Sequence, residues 1–66
     1  MRIVVNGEET NAGNAANVAE LVEEYRMAPQ SVLIEHNGTA LHPREWQQRT
    51  LAEGDRIEIV RVVAGG

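Results

Sequence analysis

The sequence predicts an α+β fold in which one mixed β-sheet packs on one main helix. Short runs of β-branched and aliphatic residues have the length and composition typical of strands, and three stand out, at 2–5, 32–34 and 56–62. Segment 18–25 carries a single apolar stripe at helical spacing. The dipeptide Asn-Gly, at 6–7 and again at 37–38, is the strongest short signal for a tight hairpin turn.

The first hairpin is predicted from residue alternation. Ile3 and Val5 should lie on the buried face of the first strand, because side chains in a strand alternate between two faces. Asn6-Gly7 should then reverse the chain into a short polar strand at 8–11. Residues 12–16, with a glycine and an asparagine, should form the loop that leads to the helix.

The helix has clear start and stop signals. Asn17 is a good N-cap, and Glu20 follows three residues later, as in a capping box. The buried stripe should consist of Val18, Leu21, Val22 and Tyr25. Pro29 cannot continue a helix, so the helix should end near Arg26 or Met27.

The second half of the chain supplies the remaining strands. It should contain, in order, a strand at 31–36, a turn at 37–38, a brief strand at 39–41, a helical turn at 43–48 and a turn at 53–55. Trp46 should cover one end of the core, and the final strand should bury Ile57 and Ile59. This order indicates a β-grasp (ubiquitin-like) domain at 1–62 with about four to five strands, followed by a flexible tail at 63–66.

Composition excludes several classes of function. The chain has 66 residues and no cysteine, so it has no disulfide, thiolate metal site or thiol nucleophile of its own. Its net charge of −4 argues against a nucleic-acid partner. No apolar run reaches membrane length, so we expect a cytoplasmic protein without a membrane partner. His36 and His42 are not spaced as a helical ligand pair, and no metal site is predicted.

The last residues, Ala64-Gly65-Gly66, end the sequence without bulky side chains. Glycine is costly to order, but a Gly-Gly segment is narrow enough to enter a tight channel and present its carboxylate there. A frayed end is the alternative interpretation.

Several motifs together resemble the ThiS family of sulfur carriers in thiamine biosynthesis. They are Asn37, Pro43-Arg44 with Trp46 close behind, Gly54-Asp55, and the terminal Val62-Val63-Ala64-Gly65-Gly66. The resemblance covers essentially the whole chain. Two departures are His42, where these carriers more often have an aliphatic residue, and the absence of phenylalanine.

The resemblance implies that the chain is a co-substrate and not an enzyme. A ThiF-like adenylyltransferase would use Mg-ATP to form an acyl adenylate on Gly66, with Gly65 beside it in the channel. Sulfur from a donor such as a cysteine desulfurase would convert Gly66 to a thiocarboxylate, which a ThiG-like thiazole synthase would consume. The carrier would bind no cofactor and would be monomeric alone.

Apolar residues beside the tail are the predicted docking site for these partners. Alternation places Val60 and Val62 on the outer face of the last strand, and Leu33 should lie on the neighbouring strand. Val63 and Ala64 would continue this contact. Scattered surface apolar residues are the alternative. Four arginines of the C-terminal half could pair with an acidic partner or serve only solubility. They are Arg44, Arg49, Arg56 and Arg61.

Two related functions remain open from the sequence. One is the small subunit of molybdopterin synthase, whose members tend to be longer. The other is a ubiquitin-like modifier, which would end as an isopeptide on a target lysine. All six cations of this chain are arginines, so it cannot form lysine-linked chains on itself, which favours the carrier. A plain interaction domain is a third class, for which Gly66 would be dispensable.

Overall fold

The fold is seen in a computed structural model that describes residues 1–62. Within this range, the chain forms five strands, one α-helix and two short 3₁₀ helices. In chain order they are β1 (Arg2–Val5), β2 (Glu8–Asn11), α1 (Val18–Glu24), a first 3₁₀ helix (Pro29–Ser31), β3 (Val32–His36), β4 (Thr39–Leu41), a second 3₁₀ helix (Pro43–Gln48) and β5 (Arg56–Arg61). No helix of this part of the chain is long and apolar enough to cross a bilayer.

The five strands form one mixed sheet in the order β2-β1-β5-β3-β4. The last strand, β5, lies at the centre, parallel to β1 and antiparallel to β3. The two outer strands pair antiparallel with their neighbours, as hairpins require. The predicted α+β fold with a mixed sheet on one main helix is therefore confirmed, with five strands.

Both Asn-Gly hairpin turns form as predicted. Asn6 and Gly7 have φ values of 50° and 84°, and Asn37 and Gly38 have φ values of 51° and 86°. Positive φ at both central residues is the requirement of a type I′ turn, which asparagine and glycine meet at low cost.

The start of α1 is capped as predicted, with one difference. The Asn17 side-chain oxygen accepts a hydrogen bond from the Glu20 backbone N–H at 2.9 Å. The Glu20 carboxylate accepts from the backbone N–H of Ala16 at 2.8 Å, one residue before the cap. Both bonds satisfy backbone donors at the helix start, where no intrahelical acceptor exists.

The helix ends at Glu24, two to three residues before the predicted end near Arg26 or Met27. Arg26 has a φ of 56°, and its N–H donates to the carbonyl of Glu23 at 2.9 Å. The Met27 N–H donates to the carbonyl of Val22 at 3.4 Å. These two bonds define a Schellman motif, which ends the helix before proline can.

Tyr25 does not belong to the buried stripe. It is the C-cap of α1 and is 38% exposed, so its predicted place in the core is wrong. The helix buries the other three stripe residues, Val18, Leu21 and Val22. Tyr25 still has helical dihedral angles, with φ −81° and ψ −3°, and its N–H donates to the carbonyl of Leu21 at 3.1 Å, so its exposure comes from its place at the end of α1 and not from an early departure of the backbone.

The core lies between α1 and one face of the sheet. Its largest fully buried side chains are Ile3, Leu21, Ile34, Ile57, Val18 and Val22. Trp46 is also buried, at 3% exposure, as predicted for a residue covering one end of the core. Its indole Nε1 has no hydrogen-bond partner among residues 1–62. The burial of Ile57 and Ile59 confirms the predicted alternation in β5.

Candidate functional site

The outer face of β3 and β5 carries exposed aliphatic side chains. Leu33, Val60 and Val62 are 61%, 55% and 46% exposed, and we call these three residues the apolar patch. Leu33 and Val60 are direct cross-strand partners. The Val62 N–H donates to the carbonyl of Ser31 at 2.8 Å, which continues the β3–β5 ladder by one residue. The three residues are therefore neighbours on two adjacent strands.

The apolar patch lies where the described part of the chain ends. The other predicted site residues, Val63, Ala64, Gly65 and Gly66, lie outside the described residues. Four residues extend at most about 13–14 Å, at 3.3–3.6 Å each. A protein that reacts with Gly66 would therefore have to come within this distance of Val62, which is itself a residue of the apolar patch.

The Asn6 side chain holds β5 in place beside the patch. Its Oδ1 accepts from the Ile59 N–H at 2.7 Å, and its Nδ2 donates to the Ile59 carbonyl at 3.2 Å. The amide thus pairs with both backbone groups of Ile59, as a neighbouring strand would. The sequence analysis assigned Asn6 only to a turn and missed this role. No sequence signal distinguishes a turn asparagine that also pairs with a distant strand.

A second asparagine holds the opposite end of β5. Asn37 Oδ1 accepts from the Arg56 N–H at 2.8 Å, and Asn37 Nδ2 donates to Asp55 Oδ1 at 3.1 Å. The Asn37 N–H also donates to the carbonyl of Arg56 at 2.8 Å. Turn residues therefore bind the central strand at two positions, Asn37 at Arg56 and Asn6 at Ile59.

The Asp55 carboxylate, just before the start of β5, accepts several hydrogen bonds. His36 Nε2 lies 2.7 Å from Asp55 Oδ2, and the Ala52 N–H donates to the same oxygen at 2.8 Å. Burial acts to raise the pKa of Asp55, but the hydrogen bonds from His36, Asn37 and Ala52 outweigh it. The pKa of Asp55 is therefore lowered from its ordinary value of 3.8.

His36 is a structural histidine. Arg49 Nε donates to His36 Nδ1 at 3.1 Å, and arginine can only donate. The proton of the ring therefore lies on Nε2, where it is donated to Asp55. This bond uses only the Nε donor of Arg49, because a guanidinium has five N–H donors.

His42 is a capping residue of the second 3₁₀ helix. Its N–H donates to Glu45 Oε1 at 2.7 Å, and its Nδ1 accepts from the Arg44 N–H at 3.3 Å. Neither His36 nor His42 belongs to a group of three or more His, Asp and Glu residues in 1–62 that could hold a metal ion. The capping contact gives a physical reason for a histidine before Pro43.

Two carboxylates lie on the same exposed face as the apolar patch. Glu35 of β3 and Glu58 of β5 are direct cross-strand partners, and both are exposed. Sequence analysis missed this pair, because it depends on the register between two strands that are distant in sequence. Like charges at directly opposite positions in an antiparallel pair are destabilising.

The whole chain resembles known proteins in both sequence and structure. A sequence profile of the ThiS family matches residues 1–66, the whole chain. The chain belongs to the ThiS family. The crystal structure of the thiamine biosynthesis protein ThiS from Geobacter metallireducens is similar, with a TM-score of 0.82 and 30% identity. That match covers 100% of both chains. The resemblance to ThiS proteins and the β-grasp fold predicted from the sequence are thus confirmed.

The chain is also similar to longer proteins. A thiazole synthase from Paramagnetospirillum magneticum is 32% identical over 66 residues, which is 100% of this chain and 20% of that protein. The uncharacterized protein ycf40 from Trieres chinensis is 27% identical over 62 residues, covering 94% of this chain and 85% of that protein. This chain therefore spans about a fifth of the length of the thiazole synthases it matches.

Proposed function

We propose that this protein is a sulfur carrier of thiamine biosynthesis whose terminal Gly66 is converted to a thiocarboxylate. The observation that carries the proposal is the ThiS-family match across residues 1–66, which includes the Ala64-Gly65-Gly66 segment. Similarity to a ThiS structure over its full length supports it. The carrier is a co-substrate, and the catalytic groups are supplied by its partners.

Activation of Gly66 is the first chemical step of the proposal. A carboxylate is a poor electrophile, and transfer of AMP from Mg-ATP to Gly66 gives an acyl adenylate and releases pyrophosphate. A ThiF-like adenylyltransferase would carry out this step, and we propose the cytoplasm as its location. Because Gly65 and Gly66 lack Cβ atoms, they fit a narrow channel in this enzyme.

Sulfur transfer is the second step. The terminal sulfur of a protein persulfide attacks the acyl carbon and expels AMP, which forms an acyl disulfide. A thiol then attacks the sulfur bound to the donor, so that a new disulfide forms and the thiocarboxylate leaves. This chain has no cysteine, so both sulfur nucleophiles come from partners such as a cysteine desulfurase.

Delivery to thiazole synthase is supported by the longer relatives. In two proteins named thiazole synthase, a segment similar to this chain makes up about a fifth of the polypeptide. Two modules in one chain meet at high effective concentration, which is an advantage when one acts on the other. We therefore propose a ThiG-like thiazole synthase as the acceptor.

The apolar patch is the proposed docking surface for these partners. Val60, Val62 and Leu33 would form the centre of the contact, and Val63 and Ala64 would lead into the partner's channel. An exposed aliphatic surface of this kind becomes stabilising once a partner covers it, at roughly 25 cal/mol per Å² of apolar area.

The test is the intact mass of protein purified from its own host, with and without prior alkylation. Exchange of one carboxylate oxygen for sulfur changes the mass almost as much as oxidation of Met1 or Met27, so mass alone is ambiguous. Alkylation resolves the two, because a thiocarboxylate is a strong sulfur nucleophile and a methionine sulfoxide is not. We expect one alkyl group on Gly66, and the same spectrum shows whether Gly66 ends the mature chain.

Deletion of Gly66 is the matched variant. It should abolish both the alkylated species and sulfur transfer while the melting curve stays unchanged, since the domain at 1–62 holds the core. A native protein that stays unmodified when ATP, an adenylating partner and a persulfide donor are supplied would contradict the carrier function. Conjugates to other proteins in place of the thiocarboxylate would favour a modifier.

A further inference from the structure

The carboxylate pair next to the apolar patch is unusual for a stable sheet. Glu35 and Glu58 are directly opposite each other, and their Cβ atoms should lie about 4.5–5.5 Å apart. The two ion pairs within residues 1–62 are Arg2–Glu9 and His36–Asp55, so neither carboxylate has a cation within 4.0 Å in the described part of the chain. Arg56, two residues before Glu58 on the same face, does not reach it.

The pair lies within the area that a partner at the tail would cover. Glu58 precedes Val60 by two residues, which is about 7 Å along the strand. A protein–protein contact buries about 800 Å² per partner, roughly 30 Å across. Four extended residues span at most about 14 Å, so the partner's reaction centre must lie within about 14 Å of Val62. A contact of ordinary size centred on the apolar patch therefore includes both carboxylates.

We propose that the partner that adenylates Gly66 carries a cationic side chain, arginine or lysine, which binds between Glu35 and Glu58 while its apolar surface covers the patch. This inference rests on the proposed function and specifies how the partner recognises this face. The cation neutralises two carboxylates that repel each other in the free domain. Guanidinium suits the site best, because its planar fork can donate to both carboxylates at once.

Charge complementarity also explains why such a pair is tolerated. Repulsion across the strands costs stability in the free chain, and a partner that removes it gains affinity and a faster encounter. A net charge of −4 adds to the attraction at long range. A second copy of this chain would bring the same two carboxylates to the contact, so a positively charged partner fits and a homodimer does not.

The test is the KM of the adenylating partner for this protein, measured by ATP–pyrophosphate exchange with the full chain. The Glu35→Gln/Glu58→Gln variant should raise KM about five- to tenfold at low salt and leave kcat within about twofold. The control is Glu23→Gln/Glu24→Gln, which makes the same change of charge on α1, across the sheet from the patch. This control variant should keep the KM within about twofold of the native value.

Two further readouts separate recognition from folding. The KM of the native chain should rise with salt towards that of the Glu35→Gln/Glu58→Gln variant, because about 1 M salt reduces the Debye length to about 3 Å. The melting temperature of Glu58→Gln alone should rise by about 2–4 °C, as relief of repulsion requires. A melting temperature equal to or below that of the native chain would overturn the proposal.

The kinetic outcomes are distinguishable from failure of the proposed function. Suppose that the native chain supports exchange and that the Glu35→Gln/Glu58→Gln variant has the same KM as the Glu23→Gln/Glu24→Gln control. The carrier function then stands, and the proposed contact between a partner cation and the two carboxylates is refuted. If the native chain supports no exchange beyond that of the Gly66 deletion, the adenylation step is refuted and this inference with it.

Discussion

Replacement of Asn6 by glycine should loosen β5 next to the apolar patch. The variant keeps the positive φ of the turn, which glycine adopts freely, and removes both side-chain bonds to the Ile59 backbone. Each bond contributes about 0.5–1.5 kcal/mol, so the free energy of unfolding should fall by about 2 kcal/mol. The total for a 66-residue domain is only about 3–10 kcal/mol, so the loss is large.

The assay combines urea unfolding with amide hydrogen exchange. Asn14→Gly, at an exposed loop position, makes the same change in the entropy of the unfolded chain and serves as the control. In Asn6→Gly the Ile59 amide should also exchange faster than expected from the global loss, because its acceptor is gone. A change in unfolding free energy within about 0.5 kcal/mol of the control would show that Asn6 does not hold β5.

Three other changes test the core, the helix end and the polar network. Leu21→Ala should lower the free energy of unfolding by about 2–5 kcal/mol, because Leu21 is 1% exposed; an unchanged urea midpoint would contradict its place in the core. Arg26→Gly should raise the free energy of unfolding by about 1 kcal/mol, because a φ of 56° strains any residue with a Cβ. A melting temperature below that of the native chain would refute this prediction. Asp55 has a lowered pKa, so its contribution to stability is complete above about pH 4 and is lost as the pH falls through the native pKa. Asp55→Asn should therefore flatten the pH dependence of the melting temperature below about pH 4, and an equally steep dependence in the variant would exclude Asp55 as the cause.

The sequence predicts the sheet and helix well because their signals are local. Asn6-Gly7 and the alternation in β5 act over a few residues, and both appear in the structure as expected. The predicted helix end is two to three residues too late, because the Schellman motif at Arg26 needs a left-handed arginine, which no propensity favours.

The features missed at the candidate site all depend on distant strands. The pairing of Asn6 with Ile59 spans 53 positions in the sequence, and the cross-strand position of Glu35 opposite Glu58 depends on the register of β3 with β5. Residue types alone do not specify such a register. The apolar patch could be predicted, because alternation within β5 is sufficient to place Val60 and Val62 outside the core.

The register of β5 is the structural property on which the proposed docking surface depends. A slip of one residue would turn Val60 inward and expose Ile59, because successive side chains of a strand face opposite sides. The buried Ile57 and Ile59 oppose this slip through the core, and Asn6 and Asn37 oppose it through backbone bonds at Ile59 and Arg56. Because β5 is also paired on both sides, by β1 and β3, Val60 of the patch lies on the central strand of the sheet. Under the proposed function, Gly66 follows the last residue of this strand by five positions, so a partner that reacts with Gly66 would dock on a surface that β5 already holds in place, which lowers the entropic cost of docking.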